Sequence, residues 1–168
     1  MTERPKFTEQ DAERASEQWG CNCGPAALAA ILNITLEEVR PLMFGFESRG
    51  YTNPTLMFEA LGRAGRSWNR ATCCPLRWPQ FGLARIQWEG PWTQPGVPIK
   101  ARYRKTHWVG ASTAGDRCTG VFDINCMHVG GWVPLSAWEE HIVPWILREA
   151  VPRANGRWHL THVIEVTQ

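Results

Sequence analysis

From Cys23 to Leu32 almost every position is apolar: Ala26, Ala27, Leu28, Ala29, Ala30, Ile31 and Leu32 follow one another without a polar break. A helix that is apolar all round is normally buried, so this stretch predicts an interior helix. "NITLEEV" predicts a second helix, with Thr35 as N-cap and Glu38 three residues on as its capping-box partner. "TNPTLMFEALGRAG" predicts a third, capped by Asn53, opened by Pro54 and stopped at Gly65. The rhythm then changes. "RSWNRATCC", "ARIQWEG", "THWVGAS" and "TGVFDIN" are short runs rich in Trp, Val, Ile and Phe, bounded by Gly and Pro, and they read as strands. Residues 136 to about 147 predict one more helix, with Ser136 and Glu139 as a second capping box and Pro144 as a kink or stop. "RWHLTHVIEV" closes the chain as a strand. Helices first and antiparallel strands after is an α+β pattern.

Residues 1–17 are polar and lack core-forming periodicity, so they read as a solvated leader, helical at most in part. Residues 18–168 read as one domain, with no repeat or Pro/Gly/Ser linker to divide them, and 168 residues can bury a substantial core. The ten Trp are well above the usual share and point to aromatic core packing rather than to a nucleic-acid stacking surface. A net charge of +2 gives no reason to expect a polyanionic partner. No apolar run approaches the ~20 residues of a membrane span, and the N-terminus has no signal-peptide core. The expectation is a cytoplasmic protein that binds neither nucleic acid nor membrane. Of the six Cys, "CNC" and "CC" lack the C-x2-C spacing of a zinc site, while Cys118 and Cys126 stand alone. Without a secretion signal, reduced thiols are expected rather than disulfides.

Cys23 is the thiol whose place matters. It stands where a helix begins, and there the macrodipole and unpaired N–H groups favour a thiolate and can hold an oxyanion. Gly24 and Pro25 suit the first helical positions, and Gly24 lets a carbonyl approach the backbone. Cys21 lies outside the helix and gains less. Position alone leaves Cys23 open between nucleophile and small buried apolar residue. A thiolate catalyst needs a base, and the base needs an orienting group. His107 sits in a predicted strand, followed by the turn "TAGDR" and then by "TGVFDIN". With Gly115 as turn centre, His107 and Asp123 face each other across the hairpin. A one-residue slip brings Ile124 or Phe122 opposite instead, and Asn125 is the alternative orienter on the Asp123 face. His159 and His162 are three apart in a strand, which sends them to opposite faces and makes a poor metal pair. His128 falls in a Gly-rich loop and His141 on a helix. Gln18, just upstream of Cys23, is either a second oxyanion donor or a surface residue.

In this order the residues resemble papain-like cysteine peptidases, and most of all the C39-like branch that includes leader-peptide-cleaving peptidases of bacteriocin exporters. The matching pieces are Gln18 followed by "NCGPAALAAIL", then "THWVGA", then "VFDINC", spanning about residues 18–126. The resemblance implies a papain-like fold, a nucleophile-bearing helix packed on an antiparallel sheet that carries His and Asp. It also implies Cys23 as nucleophile, His107 as base, Asp123 as orienter and Gln18 as oxyanion donor.

The function expected from these residues is a cysteine hydrolase cleaving a peptide or isopeptide bond through a thioester. The same thioester could instead serve deamidation of a protein Gln or acyl transfer to an amine, because the triad does not select the acceptor. A third reading is an inactive papain-like binding module, with the Trp-bearing loops "WEGPWTQPGVP" and "HVGGW" as its recognition surface. No metal and no cofactor are called for, since thiolate chemistry needs neither. The expected partner is a peptide or protein substrate, and strand edges with Trp-bearing loops would allow a homodimer.

Overall fold

The computed structural model describes residues 4–20, 22–114 and 118–167. Cys21 and the expected turn centre, Gly115, lie outside the described residues. Among the described residues five helices precede the first strand, and the architecture is a mixed α+β one. The interior helix, α2 (Cys23–Leu32), follows α1 (Glu9–Trp19), described below. After α2 come α3 (Leu36–Val39), α4 (Phe46–Arg49) and α5 (Pro54–Arg63). Residues 26–29 of α2 have no exposed surface, as an all-apolar helix requires. The Thr35/Glu38 box makes both of its bonds, and the Asn53 side chain accepts from Leu56 N–H with Pro54 in the first turn.

Over the described part of the expected leader, residues 4–17, the chain is not simply solvated. Thr8 and Asp11 cap α1 reciprocally, and Ala12, Ala15 and Trp19, spaced three and four apart, turn one buried stripe inward. Phe7 is buried edge-on against Phe122, and Trp19 edge-on against Phe46. The boundary at 17/18 therefore falls inside a helix that belongs to the core. An apolar face made largely of alanines carries too little hydrophobicity to stand out among its charged neighbours.

The strands are β1 (Trp68–Arg70), β2 (Phe81–Trp88), β3 (Thr106–Ala114), β4 (Cys118–Phe122), β5 (Trp132–Pro134) and β6 (Trp158–Val166), with a short α6 (Ile99–Arg102) before β3. Among the described residues they form one antiparallel sheet in the order β1-β6-β2-β3-β4-β5. One face, with Leu83, Trp108, Phe122 and Ile164, packs with the N-terminal helices; Gly110 lets Ile31 of α2 lie close above the sheet. The other face, with Ala84, Ile86, Trp88, Val109 and Val121, forms a second core. It is covered by α7 (Leu135–Ala137), a π turn (Trp138–Ile142) and α8 (Val143–Glu149).

One expectation about this last segment is overturned. Ser136 is inside the helix and Pro134 occupies the cap position, so no Ser136/Glu139 box forms. Of the kink or stop expected at Pro144 the stop is not taken: a π turn interrupts the α-helical register just before it, and Pro144 stands in the first turn of the next α segment, where its missing N–H needs no acceptor. In β6 a bulge also changes a face. Gln87 pairs with His159 and Arg85 with His162, so the two histidines share one side of the sheet. No helix among the described residues is long and apolar enough to cross a membrane.

Candidate active site

The β3–β4 hairpin pairs Gly110 with Phe122 and Ala114 with Cys118. This register is centred one residue beyond Gly115, so His107 and Asp123 are not the cross-strand partners that the turn arithmetic predicted. Asp123 lies just past the end of β4, at a level facing Val109, and His107 is two residues along on the same face. Such diagonal neighbours remain within reach of long side chains. The two still meet, with His107 Nε2 2.9 Å from Asp123 Oδ2.

Asp123 is completely buried, and its oxygens are saturated with donors. Oδ2 receives His107 Nε2 and, at 2.8 Å, the indole N–H of Trp138; Oδ1 receives the backbone N–H and side-chain amide of Asn125 at 2.9 and 2.8 Å. Burial pushes this carboxyl up, but the His107 charge, its hydrogen bond and those of Trp138 and Asn125 outweigh it and hold the group below its ordinary value. Asp123 caps the short helical turn 124–129, and this is why the Asn125 N–H reaches back to it. His107 is itself buried, with Trp88 stacked 6.2 Å away. Nε2 faces the carboxylate, and Nδ1 is the other ring nitrogen.

Cys23 is half-buried at the first position of α2. Its neighbours connect it to the strand bearing His107. A Cβ on Gly24 would collide with the side chain of Thr52, and the Thr52 carbonyl accepts from the indole of Trp108, next to His107. Asn22, the N-cap of α2, lines a cavity with Asn125 and Met127, which links the helix start to the Asp123 turn. Arg85 on β2 interacts electrostatically with Cys23 and donates at 3.2 Å to Thr106, the other neighbour of His107.

Gln18 is not part of this group. It lies on the exposed side of α1, and its carbonyl oxygen accepts from Arg40 at 2.6 Å. The cavity it lines is built from α1 and the start of α3, with Trp19 and Thr35, and includes neither Cys23 nor His107. Of the two readings of Gln18, its place on α1 agrees with the surface one.

Of the other histidines, His128 and His141 are exposed and His159 bonds Glu89 at 2.9 Å. Burial, together with Arg85 and Arg70, pushes His162 down to about 4. Cys126 is buried and raised to about 12 by burial and by Asp123, so it is no nucleophile. Among the described residues, no group of three or more His, Cys, Asp or Glu side chains could hold a metal ion. Trp138 and Arg85 were not found from the sequence, because no local spacing marks a contact made across fifteen residues or between strands. No family model matches the chain, and a search of curated proteins finds no match.

Proposed function

We propose that this protein is a papain-like cysteine hydrolase, similar to the C39-like branch, acting on a peptide or isopeptide bond with Cys23 as nucleophile. The observation that supports this reading best is the buried His107–Asp123 pair, a carboxylate with four donors whose imidazole is oriented through Nε2. A fully buried charge on a strand end is costly, and one saturated with donors is a means of fixing an imidazole in one tautomer.

In the proposed reaction His107 Nδ1 takes the proton of the Cys23 thiol, and Asp123 stabilises the resulting imidazolium. The thiolate sulfur bonds to the substrate carbonyl carbon, and the oxyanion meets the Cys23 N–H at the start of α2. His107 then gives its proton to the leaving amine, the carbon–nitrogen bond breaks and a thioester remains. Water, deprotonated by His107, attacks the thioester, and the proton returns to the thiol as the acid departs. With Gln18 bonded to Arg40, the start of α2 carries the oxyanion in this scheme.

The test is the rate of Cys23 alkylation by iodoacetamide, read by peptide mapping between about pH 5 and 7, in the wild type, His107→Ala and Asp123→Ala. A Cys23 rate that stays high at the acid end and collapses in His107→Ala is expected. Slow labelling of all six thiols alike would sink the proposal and leave a binding module as the better description.

A further inference from the structure

We infer that Arg85 is an anion-recognition residue beside Cys23, and that the substrate presents a carboxylate next to the bond attacked; this rests on Cys23 being the nucleophile. Arg85 sits in β2 directly across from Trp108, on the face that α2 covers. Only 9% of it is exposed. The one side-chain hydrogen bond it makes among the described residues is from Nη2 to Thr106, and its Nε is buried without an acceptor. No carboxylate of the described residues comes within ion-pair range of it, and the ring of Tyr103 lies 5.8 Å from the guanidinium carbon. A buried cation normally has a paired anion, since desolvating it alone is costly.

Arg85 Nε is not the only buried polar atom there without a hydrogen-bond partner. Thr52 Oγ1, packed on Gly24 beside the nucleophile, and Gln87 Oε1, two residues from Arg85 on the same strand face, are also buried and unbonded. His162, across β6 from Arg85, is held neutral and adds no second positive charge. One planar guanidinium fork with a neighbouring carbonyl acceptor suits a carboxylate flanked by an amide N–H. A phosphate dianion would be repelled by Gln87 Oε1 and would find one cation only. The side chain of an acidic residue and the C-terminal carboxylate of a short peptide share this chemistry.

The experiment alkylates the full chain with iodoacetate and with its neutral isostere iodoacetamide, and reads each cysteine by peptide mapping. The exposed Cys73, Cys74 and Cys118 serve as references within the same molecule. The acetate-to-amide rate ratio at Cys23 should exceed the reference ratio by about tenfold or more and saturate with iodoacetate. It should drop to the reference ratio in Arg85→Met and be partly retained in Arg85→Lys. Should Arg85→Met not fold, the wild-type ratio and its saturation decide. A Cys23 that reacts fast with iodoacetamide but shows the reference ratio overturns the role of Arg85 and leaves the nucleophile standing. A Cys23 no faster than the references with either reagent overturns both. Protection of Cys23 by a Glu-containing peptide amide, or by a peptide with a free C-terminus, identifies the source of the carboxylate; protection by neither overturns the substrate assignment.

Discussion

Replacing Trp138 with Phe removes one donor from a buried carboxylate while keeping an aromatic ring in place. Trp138 has no exposed surface and touches Trp78, Trp88 and Trp158, and its N–H is one of two donors on Asp123 Oδ2. A hydrogen bond to a charged group contributes about 1.5–3 kcal/mol, and the void left by the smaller ring adds about 1–2 kcal/mol. The variant should lose about 3–5 kcal/mol at neutral pH by urea denaturation. A double-mutant cycle with Asp123→Asn separates the two contributions. The void persists in that background, but the acceptor is neutral and worth only about 0.5–1.5 kcal/mol. A coupling energy of about 1–2 kcal/mol is therefore expected.

The same comparison has a pH arm. Asp123 is held below its ordinary value, so its stabilisation is complete above the unfolded carboxyl pKa of about 3.9. That stabilisation is lost as pH falls further, toward the depressed folded value. The gap between wild type and Trp138→Phe should narrow below about pH 4, toward the packing loss alone. Coupling under about 0.5 kcal/mol, or a gap constant with pH, would refute the reasoning and reduce Trp138 to a packing residue.

Three further outcomes are expected. Gly24→Ala should cost about 1–3 kcal/mol, read as a lower urea midpoint, because its Cβ would overlap Thr52; an unchanged midpoint would contradict that packing. His162 is held near 4 against an ordinary 6.5, so folding favours its neutral form, and stability should decline as pH falls through that window. His162→Gln should flatten this decline, and an identical slope in the variant would be evidence against it. In native iodoacetamide mapping, Cys73, Cys74 and Cys118 should label while Cys126 stays intact until urea is added; labelling of Cys126 at their rate would contradict its burial.

Signals confined to one or two turns of chain were legible from the residues. The Thr35/Glu38 box, the Asn53–Pro54 start and the apolar run behind Cys23 each depend on groups a few positions apart, and each forms where the pattern puts it. The candidate nucleophile could be singled out for the same reason, since a helix start is a local feature. Composition likewise marked the strand that carries His107, but only approximately, because a run of strand-favouring residues says nothing about pairing across strands.

What residue order could not specify depends on contacts between distant segments. The hairpin is centred one residue later than the turn chemistry suggests, and Asp123 reaches His107 diagonally from beyond the strand end. The indole that completes its hydrogen bonding comes from a π turn fifteen residues on. A bulge in β6 put His159 and His162 on one face, α1 joined the core through two alanines, Trp19 and the adjoining Phe7, and Arg40 took the amide of Gln18. None of these has a local marker. Each is settled by which arrangement buries the most apolar surface while leaving the fewest polar groups unpaired, a condition on the whole packed chain.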